Sequence, residues 1–249
     1  MPFKKNMIKI IRALIRPFGI DLVRYTSGTP DECRNQIMKS SKIDLLFDVG
    51  ANTGQFASEI RSAGYSGKIF SFEPLSNEFN SLSEKSKKDP LWDVFNFAFG
   101  AKIEETKINI SENSQSSSLL TIKKEHTLAA PKSSYVGKET IEVKTLDAFW
   151  KEMDASCDRP SIMLKIDVQG FEDRVLKGGK SYFLPKVKLI QIEMSLVELY
   201  EGQMLFFELA KYLVNLGFND LVFLRPGFKN KTTGRLLQCD GIFMRANLK

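Results

Sequence analysis

The chain has 249 residues, 43% of them apolar, and a formal net charge of +6 at pH 7. That length and composition suit one α/β domain with a full core, and no apolar run of about 18 residues is present to cross a membrane. Three widely spaced cysteines (Cys33, Cys157, Cys239) without a CxxC pair argue against a disulfide frame or a zinc site, and the scattered lysines argue against nucleic acid as a partner.

Near the N-terminus, Met7, Ile10, Ile11, Leu14, Ile15 and Phe18 recur at helical spacing, flanked by Lys4, Lys5, Lys9, Arg12 and Arg16. Pro17 and Gly19 mark the expected end of this helix. No apolar core with a small-residue cleavage site follows the lysines, so no secretory signal is expected and the cytoplasm is the default location. Packing of the helix on its own domain or on a second subunit is the favoured role. The alternative is a peripheral membrane contact through Met7 to Phe18, where apolar burial and attraction to anionic lipid add. A connector with turn residues Ser27-Gly28-Thr29-Pro30 follows. The expected division is therefore a helix and connector over 1–30 and a single domain over 31–249.

The segment Leu45-Leu46-Phe47-Asp48-Val49-Gly50-Ala51-Asn52-Thr53-Gly54 reads as a strand, a glycine-bounded turn and the start of a helix over Gln55 to Ala63. The next strand, Lys68 to Phe72, ends in Glu73-Pro74. An acidic residue about 20 positions beyond the glycines is placed to hold a ribose diol. A dinucleotide does not suit this turn. The pyrophosphate fingerprint needs glycine at its third and sixth positions, where Asn52 and Gln55 stand, and Asp48 would repel a phosphate. A ligand with a ribose and an ammonium group but no phosphate suits it better, and S-adenosylmethionine (SAM) is such a ligand.

Val94 to Phe99 reads as a third strand closed by Gly100. Lys107 to Ser111 alternates like a half-exposed strand. The tract Ser114-Gln115-Ser116-Ser117-Ser118 reads as a loop, and Lys123 to Gly137 as a mobile, lid-like loop that carries His126, the one histidine. A plain surface role is favoured for His126 over that of a base reaching in from a lid. Ile141 to Thr145 is a further strand and Leu146 to Trp150 starts a helix. Strands over Ile162 to Asp167 and Val187 to Glu193 follow, each succeeded by a helix (Phe171 to Leu176, Leu205 to Leu216). Leu221 to Leu224 and Gly241 to Met244 pair as a terminal antiparallel hairpin. Strands alternating with helices imply an α/β fold with a mostly parallel sheet covered on both faces.

Five segments together resemble the FkbM family of SAM-dependent methyltransferases. They are Phe47 to Gln55, Phe72-Glu73-Pro74, Asn96 to Gly100, Leu164 to Glu172 and Gln238 to Phe243. The resemblance implies the class I methyltransferase fold, a Rossmann-like sheet of seven strands whose last strand is antiparallel. It implies methyl transfer from SAM to a hydroxyl oxygen of a sugar, glycan or related small molecule. One departure is Gln169, where the family often has Glu. The backbone of Gly50, Ala51, Asn52, Thr53 and Gly54 is expected around the methionyl part of SAM, with Asp48 near its ammonium and Glu73 on the ribose beside Pro74. The resemblance sets Asn96 and Ala98 near the adenine and Ser117 close to the cofactor; a solvated flexible loop is the alternative for Ser117.

Lys165 and Asp167 share one strand face, as do Gln191 and Glu193, and the two strands are expected to be neighbours. A lysine inside a buried strand is costly unless paired, so Lys165 is expected to pair with Asp167 or Glu193. Either carboxylate is a candidate base for the hydroxyl proton; the alternative is a structural ion pair. Asp167, Glu172, Glu193 and Asp240 are oxygen donors that suit Mg²⁺, but no metal is the favoured reading. Two other readings compete: a catalytically silent SAM-binding module, and a nicotinamide-dependent oxidoreductase. The acceptor and the oligomeric state are not legible.

Overall fold

The computed structural model describes residues 2–15, 17, 29–153 and 160–245. Helix α1 spans Pro2–Ile15. Its Met7, Ile10 and Leu14 are exposed, so these three side chains do not pack on the described residues. Phe18, Gly19, Ser27, Gly28 and Cys157 lie outside the described residues. The expected turn at Thr29-Pro30 is instead the start of helix α2, Pro30–Ser40. Thr29 caps it by accepting from the Glu32 amide at 3.3 Å, and Pro30 fills the first turn, where its missing N–H costs nothing.

From there strands and helices alternate: β1 Leu45–Val49, α3 Gln55–Ser62, β2 Lys68–Phe72, α4 Ser76–Ser86 and β3 Trp92–Phe95. A smaller unit follows, with β4 Ala98–Phe99, β5 Glu104–Ser111, α5 Lys124–Ala129 and β6 Tyr135–Lys144. The rhythm then resumes with α6 Leu146–Met153, β7 Ile162–Ile166, α7 Glu172–Gly178, β8 Val187–Ser195, α8 Phe206–Asn215, β9 Asp220–Pro226 and β10 Gln238–Met244. The main sheet has seven strands in the order β3-β2-β1-β7-β8-β10-β9. β10 runs antiparallel to both neighbours, and β1, β2, β3, β7 and β8 are parallel. The chain reverses its direction of winding between β1 and β7, and the carboxyl ends of those strands open a crevice. This is the expected class I methyltransferase sheet.

Alternation along the strands sets the two cores. Phe47, Phe70 and Phe72 face one side with Phe149, Trp150 and Phe183. Phe72 stacks between Phe47 and Phe95, with ring centres 5.4 and 5.0 Å away. Leu46, Ile69 and Met163 face the other side and meet Ala57 and Ile60 of α3 and Leu82 of α4.

Three expectations need correction. The strand expected over Val94 to Phe99 is two strands in different sheets. β3 starts earlier, at Trp92, and β4 pairs with β6 in a second sheet ordered β4-β6-β5. Asn96 breaks the run: its amide donates to the carbonyls of Glu73 and Pro74 at 2.9 and 3.0 Å. The Lys123-to-Gly137 stretch is not an irregular loop. It holds α5 and the first residues of β6, and it buries Ser133 and His126. The serine tract is likewise built in: Asn113 caps a short 3-10 turn at Ser114–Ser116.

Candidate active site

Gly50 begins the site. Its φ is +77°, and a side-chain carbon there would lie 1.9 Å from the Asp167 carbonyl. Only glycine lets the β1 turn pass so close to the end of β7. The amides of Gly50 and Ala51 donate to the Phe72 carbonyl at 3.1 and 3.0 Å, locking the turn to the end of β2. Asn52 takes φ +47°, a conformation that asparagine tolerates better than most residues.

Glu73, at the end of β2, is buried. Its two carboxylate oxygens accept from the backbone amides of Asn52 and Leu75 at 2.8 and 2.9 Å. Burial pushes its pKa up to about 7 against the pull of these donors. The carboxylate is thus fixed in direction, with its remaining lone pairs at the wall of a cavity of about 550 Å³. Gly50, Ala51, Asn52, Pro74, Ala98 and Ser117 line that cavity with it. The serine tract closes over the turn, since the Asn52 amide donates to the Ser114 hydroxyl at 3.1 Å.

Asp48 does not lie where its expected role needs it. It is fully buried behind the turn and is not part of the cavity wall. Its carboxylate accepts from the Ser71 hydroxyl at 3.3 Å and pairs with Lys165 at 3.2 Å. Strand register explains this: Ser71, Asp48, Lys165 and Gln191 sit side by side across β2, β1, β7 and β8. Thr53, Gly54 and Asn96 also lie outside the cavity wall. Gly54, at φ +82°, instead turns the chain against Leu82 and Trp92.

Lys165 takes Asp48 as its main partner, with Asp167 farther off at 3.6 Å, rather than Glu193. Its ammonium also donates to the Gly50 carbonyl at 3.0 Å, which ties β7 to the turn. Burial alone would lower its pKa, but Asp48 and Asp167 outweigh that and hold it above the usual lysine range.

Asp167 and Glu193 come together as expected, bridged by Gln169. Its amide nitrogen donates to Asp167 Oδ1 at 2.8 Å and to Glu193 Oε2 at 2.9 Å, and its oxygen accepts from the Tyr200 hydroxyl at 2.9 Å. Glu193 Oε2 takes a second bond, from Gln238 at 2.7 Å. Among the described residues nothing donates to Glu193 Oε1, and both carboxylates line the cavity. Burial and the nearby charges of Asp167, Glu172 and Asp240 hold the Glu193 pKa well above the usual carboxylate range.

The carboxyl of Glu172 turns away, accepting from the amides of Val168 and Gly170 at 3.2 and 3.1 Å. Among the described residues no group of three or more His, Cys, Asp or Glu is set to hold a metal ion. His126 is buried against Tyr200 and Phe228, not on the surface, and does not line the cavity. Burial lowers its pKa to about 4. Arg34 and Arg225 line the cavity and were not singled out from the sequence. Both pair with Asp31, at 3.6 and 3.0 Å, and a lone arginine in a polar stretch carries no signal of that juxtaposition.

Among curated proteins, a hexuronic acid methyltransferase, AglP, from Haloferax volcanii is 26% identical over 157 residues. That match takes in 63% of this chain but only 58% of the relative. Among solved structures, methyltransferase FkbM from Methylobacillus flagellatus KT aligns over 80% of this chain and 43% of its own, with 14% identity and a TM-score of 0.48. Magnesium protoporphyrin IX methyltransferase from Synechocystis PCC 6803 aligns over 96% of each chain, with 11% identity and a TM-score of 0.43. The family model described as methyltransferase FkbM domain matches residues 48–219, and the chain belongs to that family.

Proposed function

We propose that this chain moves a methyl group from SAM to a hydroxyl of a sugar, glycan or related small molecule. One observation carries the reading. A single cavity joins a backbone-fixed Glu73, suited to a ribose diol, to Glu193, whose Oε1 no described residue occupies. The fit for SAM is supported by Glu73, by the open backbone of Gly50 to Asn52, and by Pro74, Ala98 and Ser117 on the same wall. When bound, SAM supplies a methyl carbon on a cationic sulfur, and its transfer to oxygen releases S-adenosylhomocysteine and the hydroxyl proton.

The chain's own task is to take that proton. Glu193 suits it, because a carboxylate with a raised pKa accepts a proton near neutral pH more readily than an ordinary one. Gln169 and Gln238 hold its other oxygen still. Asp167, anchored by Lys165 and Gln169, sets a second carboxyl group on the same cavity wall. The oxygen direction and a carbohydrate acceptor draw further support from the relative that is described as acting on hexuronic acid.

The test is a mass-spectrometric screen of saccharide acceptors with SAM for a gain of one methyl group. Turnover is expected to resist thorough chelation. Glu193→Gln is expected to cut the rate by about 10²–10⁴ while S-adenosylhomocysteine still binds. Full turnover in both Glu193→Gln and Asp167→Asn would remove the carboxylate base.

A further inference from the structure

The cavity wall carries polar groups that the methyl-transfer chemistry leaves unused. Gln191 lines it and is only 8% exposed, yet its carboxamide has no hydrogen-bond partner among the described residues; its oxygen is wholly buried and unpaired. Buried amides are nearly always bonded, so an orphan at a cavity wall points to a missing donor or acceptor. Asp240 lines the same wall, and no described side chain or backbone amide donates to its carboxylate. The contrast lies within the site: the Gln169 amide is engaged by neighbours at both its nitrogen and its oxygen.

Strand geometry puts these groups in one patch. Gln191 and Glu193 are two apart on β8 and share a face. Asp240 stands directly opposite Glu193 in the β8–β10 ladder, and Arg225 opposite Asp240 in the β10–β9 ladder. Side chains directly opposite each other on neighbouring strands lie on the same face.

We propose that Gln191 and Asp240, on either side of Glu193, form an acceptor subsite that grips adjacent hydroxyls of a sugar ring. The inference rests on the methyl-transfer reading above and names the groups that present the acceptor. Charge selects the ligand class. An ammonium on the acceptor would meet Lys165, Arg34 and Arg225, all close enough to act on Asp240. A phosphate or sulfate would meet Asp167, Glu193 and Asp240. Uncharged hydroxyls satisfy both sets: each donates one hydrogen and accepts others. The Gln191 oxygen is sealed from the cavity, so the nitrogen is the end of that amide a ligand can reach. Asp240 needs a donor and the Gln191 nitrogen needs an acceptor. A ring with vicinal hydroxyls supplies both at once, with a neighbouring hydroxyl left to face Glu193. An aromatic acceptor with a single hydroxyl, placed to face Glu193, leaves both unpaired.

The experiment uses the full chain saturated with S-adenosylhomocysteine. Saturation-transfer NMR titrations are run with methyl pyranosides of gluco, galacto and manno configuration, with methyl glucopyranosiduronate, and with cyclohexanol as the single-hydroxyl control. At least one pyranoside is expected to bind saturably, and cyclohexanol is not. Gln191→Ala and Asp240→Asn are each expected to weaken that pyranoside at least tenfold and to leave S-adenosylhomocysteine affinity within twofold. Gln191→Glu, which keeps the side-chain size, is the second variant should Gln191→Ala not fold; it too is expected to lose the pyranoside. Binding of S-adenosylhomocysteine without binding of any pyranoside would overturn the subsite and leave the cofactor reading standing. Undiminished pyranoside binding in the Gln191 and Asp240 variants would also overturn it. Failure of S-adenosylhomocysteine to bind the wild-type chain would remove the methyl-transfer reading, and the subsite with it.

Discussion

Protonation of Glu73 should govern cofactor affinity. Its pKa is raised to about 7 by burial, while the ribose diol needs an ionised carboxylate to accept two hydroxyl hydrogens. The wild-type chain is therefore expected to bind S-adenosylhomocysteine with constant affinity above about pH 7.5. Below pH 7 the affinity should weaken, approaching tenfold per pH unit as binding comes to require loss of one proton. The sign for stability is opposite. A raised folded pKa means that this group's contribution is complete below its unfolded value of 4.5 and is lost as pH rises through 7. The ligand offsets that loss, so the ligand-induced rise in Tm should be larger at pH 8 than at pH 6. Glu73→Gln removes the charge and keeps the shape. Each charge-assisted hydrogen bond contributes about 1.5–3 kcal/mol, so losing one at pH 8 corresponds to roughly 10- to 150-fold in the dissociation constant. Calorimetric titration from pH 5.5 to 8.5 on both proteins reads all of this. A flat wild-type profile, or wild-type affinity in a folded Glu73→Gln protein, would refute the ribose assignment.

Three other outcomes are expected. Lys165→Met leaves Asp48 buried without its cation and should destabilise the fold by about 3–5 kcal/mol, read by urea denaturation; a loss under 1 kcal/mol would show that Asp48 does not need the pair. His126→Gln should keep most turnover at pH 8, because His126 lies outside the cavity wall and its lowered pKa keeps it neutral there. Its stabilising contribution in the wild type is present above about pH 6.5 and is lost as pH falls through 4, so acid unfolding between those values should be gentler in the variant. Helix α1 exposes Met7, Ile10 and Leu14, and its sequence has four basic residues and no acidic one. Liposomes rich in anionic lipid are expected to float the full chain and not a variant that starts at Asp21; equal flotation of both would remove a membrane role.

Local chemistry made much of the molecule readable from the chain alone. A strand that ends in a glycine-bounded turn and a second that ends in an acid have only a few folded solutions, and the α/β sheet with Glu73 beside Asn52 is one of them. Side-chain alternation was enough to set Lys165 with Asp167 and Gln191 with Glu193. What escaped depends on contacts between distant segments. Asp48 carries the same short-range signal whether it faces a ligand or a buried lysine; the register of β1 against β7 decided for Lys165. The serine tract and the His126 segment look like solvated loops by composition. They become walls because Ser114 meets Asn52, Ser118 meets the Gln169 carbonyl, and Tyr200 closes over His126. Gln169 departs from the usual family residue in one letter, and only the folded sheet shows that its amide fills the space between two carboxylates. Propensity and periodicity act within about ten residues and fix the elements. Pairing of charges and satisfaction of buried polar groups act across 20 to 120 residues of chain, and only the tertiary structure could decide them.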